Sequence, residues 1–209
     1  MYIIYGAAAY LAGIAGGAAI AYLVRKDGVR LIKNIKNTLV LCAMCAFAFE
    51  IALWNGFVWD RIPTEFLSCF VTVFFMLWLA ATDFTGFKLP NNVILLWLVC
   101  RLFLMFASGI IEWNIMIPAM SAAGAVVIGL LFLLMYYVSR RTLGGGDIKL
   151  SFVLGLSLML ENIFNAVFYG LIICTLFAGV CLLLKKLKRK DFLPLGPFLF
   201  AGTLIAYFF

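Results

Sequence analysis

The sequence predicts an all-α integral membrane protein, a polytopic bundle of about eight transmembrane helices forming one domain over residues 1–209. Three observations predict it. Apolar residues make up 67% of the chain and charged residues only 12%, against about 25% charged in soluble domains. The apolar residues fall into long runs, most of them near the roughly 20 residues that a helix needs to cross a bilayer. The basic residues, finally, gather in alternate connections between those runs.

The first run, Tyr2–Val24, has no basic stretch ahead of it, so it reads as a retained helix and not a cleaved signal peptide. It carries Ala9, Gly13, Gly17 and Ala21, a small-residue stripe that suits a close helix contact or a groove for a substrate helix. Thr38–Val58, Phe66–Thr82, Asn92–Ala107 and Ile115–Val138 follow. Ile148–Leu160 is short; such a segment can stop below the far interface, or be re-entrant where it bears a site. Ile163–Leu184 and Phe192–Phe209 complete the set.

Orientation follows from charge. One set of connections holds Arg25, Lys26, Arg30, Lys33, Lys36, Lys88, Arg140, Arg141, Lys149, Lys185, Lys186, Lys188, Arg189 and Lys190. The other set holds Arg61 alone, with Asp60, Glu65, Glu112 and Glu161. The positive-inside bias makes the first side cytoplasmic and leaves both termini outside. Topology therefore accounts for the net charge of +7, and no nucleic-acid partner is expected.

Cys42, Cys45, Cys69, Cys100, Cys174 and Cys181 all fall inside apolar runs. Cys42 and Cys45 have a metal-ligand spacing, but a structural zinc needs four ligands and the chain has no histidine. Small buried hydrophobes are the better account, and no metal or other cofactor is expected.

The chemistry rests on two carboxylates. Asp147 closes Gly144-Gly145-Gly146-Asp147, where a helix begins after a run that permits close backbone approach. Taken alone, it is more simply a helix-capping aspartate. Asp83 ends another run, ahead of Pro90 and Asn91, and alone it is an ordinary interfacial carboxylate. Together they share one edge of the bilayer. Two convergent carboxyls would hold one proton between them, the minimal equipment of an aspartyl protease. Rival sets are poor. Without histidine there is no Ser-His-Asp triad and no zinc-protease motif. Ser151 and Lys149 are two apart, and on a helix they point away from each other.

Three ordered segments resemble the type IV prepilin peptidases. Thr82 to Asn92 is similar to their first aspartate motif, in which Asp is followed by Leu-Pro-Asn. Leu143 to Leu150 resembles their GxGD motif with its following Lys, and Leu193-Pro194-Leu195-Gly196-Pro197-Phe198 their Pro-Phe-Gly-Pro segment, with Leu195 replacing the usual aromatic. The resemblance implies that Asp83 and Asp147 are the catalytic pair. It implies that Gly144, Gly145, Gly146, Lys149, Lys88, Pro90, Asn91, Gly196 and Pro197 shape the site or meet substrate. It also implies prepilin-like substrates, cut on the cytoplasmic side just before a hydrophobic helix.

Larger members of that family carry a four-cysteine cytoplasmic domain and also methylate the new N-terminus. The connection Arg25–Asn37 is too short for that domain, so a peptidase alone is expected. Presenilin-like proteases share GxGD but place tyrosine before the first aspartate, where this chain has Thr82. Archaeal preflagellin peptidases are close alternatives. Two readings from other classes are a small cation-coupled transporter and a non-catalytic assembly factor.

Lys88 and Lys149 follow from topology, or else stabilise a carboxylate or meet an acidic group in the leader. Glu50 and Arg101 lie at matched depths in two different runs, ~15–18 Å from their ends at about 1.5 Å per residue. Such charges are costly in lipid, so the two are expected to pair.

Overall fold

The computed structural model describes residues 63–86, 89–139, 143–185 and 193–208. They form five helices: α1 (Pro63–Gly86), α2 (Asn91–Ile111), α3 (Met116–Val138), α4 (Gly145–Leu183) and α5 (Gly196–Phe208). No strand occurs among the described residues. The first four are long and apolar enough to cross a membrane, whereas α5 has 13 residues. The expected spans Tyr2–Val24 and Thr38–Val58, with Cys42, Cys45 and Glu50, lie outside the described residues.

Helix α1 runs one turn beyond Thr82, because no residue there breaks it before Gly86. Asp83 is therefore inside a helix, not at its end. Pro90, extended at φ −69° and ψ 117°, then starts α2, and its carbonyl accepts the N–H groups of Val93 and Ile94. Helices α2 and α3 meet through a tight turn in which Trp113 takes φ 48° and the Asn114 side-chain oxygen accepts the Met116 N–H at 3.0 Å. Phe103, Phe106, Leu130 and Leu134 stay exposed on these two helices, as an apolar face turned to lipid requires. The core lies behind them: Phe75 of α1 stacks on Trp97 of α2 and on Trp78 of its own helix, with Met76, Leu79 and Leu154 fully buried.

Helix α4 corrects the sequence-based boundaries. A connection at Glu161–Asn162 is expected; the helix instead runs from Gly145 to Leu183 with one break, at Met159. There φ is 59° and ψ 178°, a region that is nearly glycine-only and costs other residues about 1–3 kcal/mol. The chain bends back at this point. Gly170 lies against Leu199, three residues into α5, whose first residue Gly196 touches Asp83. An unbroken helix would carry Gly170 ~35 Å from Asp147 at about 1.5 Å per residue.

The first limb, Gly145 to Leu158, is thus only ~20 Å long, short of the roughly 30 Å hydrocarbon core. It stops opposite Gly124, while α3 continues a further eight residues to Met116. The contact there is backbone on backbone: a Cβ on Gly155 would sit 2.5 Å from the Gly124 carbonyl oxygen. The second limb packs on α5, Ala166 against Gly202 and Gly170 against Leu199.

Candidate active site

Asp83 is buried near the end of α1, at 6% exposure. Its Oδ2 accepts the backbone N–H of Gly196 at 2.8 Å. Gly196 opens α5, and the first N–H groups of a helix have no partner within it. Such an amide, at the positive end of the helix, is a natural donor to a carboxylate. Pro197, next in the first turn, fits because a helix start needs no N–H from it. The fit is tight. A Cβ on Gly196 would come within 3.0 Å of Asp83 Oδ2 and 3.2 Å of its Cβ.

Asp147 occupies the first turn of α4 and is partly buried. Gly144 holds the cap position, with extended backbone and no side chain to cap with, and its carbonyl accepts the Asp147 N–H at 3.0 Å. Asp147 is therefore not at the N-cap position itself but at the third helical position, from which its carboxylate reaches back to cap the Gly144 end. Its carboxylate folds back against Gly144, where a Cβ would lie 3.0 Å from Oδ2. It stands close enough to Asp83 for the two to interact electrostatically. Both carboxylates thus lie within electrostatic range of each other at one end of the bundle, each in tight contact with a glycine.

The remaining candidates divide. Gly146 lies under the Leu89 side chain, 3.1 Å from where its Cβ would be, so the α1–α2 connection closes over the glycine run. Gly145 has nothing within 4 Å of its own Cβ position, and close approach does not require glycine there. Lys149 donates to the Asn91 side-chain oxygen at 3.0 Å, joining α4 to α2 beside Asp147. Pro90 sets the start of α2, which places Asn91. Lys88 lies outside the described residues. Ser151 is buried and donates to the Ile148 carbonyl, away from Lys149.

A groove of about 650 Å³ runs between α2, α3 and α4. Asn91, Asn92 and Lys149 form its polar end; Leu95, Leu130 and Phe152 are among its apolar walls. Lys149 follows Asp147 by two residues on α4, and neither carboxylate lines the groove itself. Among the described residues no group of three or more Cys, Asp or Glu side chains converges as a metal site would require.

Leu89, which covers Gly146, belongs to the Leu-Pro-Asn stretch after Asp83, but nothing in that stretch announces this contact. The bend at Met159, which brings the second limb and α5 to the site, falls two residues before the expected separation of the runs at Glu161–Asn162.

A family model described as the type IV leader peptidase family matches residues 70–179, more than half of the chain and both aspartates. The chain belongs to this family. It is also 27% identical over 149 residues to a Bacillus subtilis (strain 168) protein described as a prepilin leader peptidase/N-methyltransferase. That match covers 71% of this chain and 58% of the relative. The chain thus spans little more than half the length of the relative. No solved structure matches.

Proposed function

We propose that this chain is a membrane aspartyl endopeptidase that removes the leader peptide of prepilin-like preproteins at the cytoplasmic face. One observation carries the proposal: Asp83 and Asp147 lie within electrostatic range at one end of the bundle, each in tight contact with a glycine, in a chain of the leader peptidase family. Two carboxyls so placed are suited to share a proton.

The ionised carboxyl takes a proton from water, whose oxygen attacks the scissile carbonyl carbon. The protonated carboxyl hydrogen-bonds to the carbonyl oxygen and transfers its proton as the tetrahedral intermediate forms. Collapse breaks the C–N bond: the proton gained from water passes to the leaving amine, and a hydroxyl of the intermediate returns its proton to the second carboxylate as the new C=O forms. The pair returns to its starting state. The Gly196 N–H holds Asp83 in place, and Gly144 sets the height of Asp147.

The apolar groove between α2, α3 and α4, whose polar end includes Lys149, offers a place for the hydrophobic helix that follows the cleavage point in such substrates. The distribution of basic residues supports a cytoplasmic-facing site in a cell membrane. The short connection Arg25–Asn37 supports peptidase activity without N-methylation. A transporter fits less well, because transported ions are held near the midplane on broken helices. Here the carboxylates cluster at the bundle end, while the broken part of α4 lies away from them.

Co-expression with candidate preproteins, pilin-like and preflagellin-like, tests the proposal. Mass spectrometry of the product is expected to show leader removal by the wild type and none by Asp83→Asn or Asp147→Asn. Equal processing by either variant would remove that residue from the chemistry.

A further inference from the structure

Arg101 is 2% exposed in the middle of α2, and none of the chemistry above uses it. A guanidinium keeps its charge, and a charge at this depth is costly unless its donors are satisfied. Three other helices supply acceptors. Nε donates to the Leu156 carbonyl of α4 at 3.0 Å, Nη1 to the Ser68 hydroxyl of α1, and Nη2 to the Ser121 hydroxyl of α3 at 3.5 Å. One side chain thus ties four helices together.

The Leu156 carbonyl is the informative partner. It lies three residues before Met159, among the last four carbonyls of the first limb. A helix end leaves those carbonyls without regular partners, and something else must satisfy them. Arg101 does so at a break that methionine itself disfavours. The break separates the two halves of the site. Asp147 stands at the head of the first limb. The second limb holds α5 through Ala166 on Gly202 and Gly170 on Leu199, and α5 holds Asp83 through the Gly196 N–H. The angle between the limbs therefore sets one carboxylate against the other.

We propose that Arg101 is a positioning residue, which by holding the Leu156 carbonyl pins the reversal of α4 at Met159 and so fixes the register of Asp147 against Asp83. Its effect on activity rests on the peptidase function proposed above; its effect on limb geometry does not.

The test has two arms. In detergent-purified protein whose cysteines are replaced, spin labels at Phe152 and Leu176 report the distance between the limbs. Arg101→Gln is expected to shift or broaden that distance, and Met159→Gly, which removes the left-handed penalty, to narrow it again in the double variant. In cleavage assays normalised to folded protein, Arg101→Gln is expected to lower kcat ~100-fold, the scale of an ångström of misplacement, with KM unchanged. Arg101→Lys should fall between, because an ammonium can reach Leu156 but cannot span three partners. Met159→Gly should restore part of the loss in Arg101→Gln. If Arg101→Gln does not fold, Ser68→Ala with Ser121→Ala loosens the same guanidinium and should broaden the distance likewise. A wild-type distance distribution in the folded variant overturns the inference, as does wild-type kcat. Should the wild type cut no preprotein, the proposed peptidase function falls and the distance arm still decides the role of Arg101.

Discussion

The backbone N–H of Gly196 and the carboxylate of Asp83 are joined at 2.8 Å across 113 residues of sequence. This bond attaches the start of α5 to the end of α1, and so couples the last described helix to the proposed chemistry. It also suits glycine at position 196, where a Cβ would crowd the carboxylate at 3.0 Å.

Gly196→Ala is therefore expected to cost far more activity than a surface methyl group would. Its Cβ would press on Asp83, and a displacement of even an ångström lowers kcat by ~100-fold. Membrane level should stay near normal. Cleavage rates normalised to folded enzyme check it; a full rate would mean that the carboxylate yields without consequence.

Asp83→Asn and Asp147→Asn should each lower cleavage by ~10²–10⁴-fold, the usual contribution of general acid–base catalysis. In Asp83→Asn the side-chain amide oxygen can still accept the Gly196 N–H, so this substitution should retain the fold. Comparable thermal stability alongside lost activity is the expected pair of results.

Leu130→Trp places bulk in the apolar groove without touching either carboxylate. For a full preprotein it should raise KM ~10-fold or more, as clashes in apolar pockets do. A short soluble peptide covering only the leader and the scissile bond should be cut as before. An equal effect on both substrates would show that the groove does not hold the substrate helix.

Cleavage should survive strong chelation and complete thiol blocking, since the chemistry derived above uses two carboxylates and water. Among the described cysteines, Cys69 is buried, and Cys100, Cys174 and Cys181 sit partly buried on apolar helices. Loss on chelation with recovery on adding zinc is the result that would contradict this.

Reporter fusions at Asn34, Arg140 and Lys188 should register as cytoplasmic, and those at Arg61 and Glu112 as external. Opposite signals from Arg140 and Lys188 would require an odd number of crossings between them. That outcome is incompatible with a first limb that turns back at Met159.

Much of this was legible in the residues themselves. Hydropathy runs locate α2 and α3 to within about a turn because lipid demands long uninterrupted apolar helices and tolerates little else. Asp83 and Asp147 stand out because carboxylates are rare in such a chain. The Gly-rich approach to Asp147 was readable as a place for close packing, and Gly144 and Gly146 do pack closely, although Gly145 does not. The start of α5 is less readable. Apolar residues begin at Phe192, but Pro194 delays the helix until Gly196.

Sequence alone determined the all-helical membrane class and singled out the two carboxylates, since both depend on composition or on local pattern. Tertiary structure decided how they meet. The reversal at Met159 falls just before Glu161–Asn162, where the two apolar runs separate, but with no glycine or proline from Leu156 to Leu160 nothing local fixes its exact place. Its support comes from Arg101 on another helix, held in turn by Ser68 and Ser121 on two more. Hydrogen bonds between residues tens of positions apart leave no periodicity in the chain. They exist only once the helices have packed, and it is that packing which brings Asp147 to Asp83.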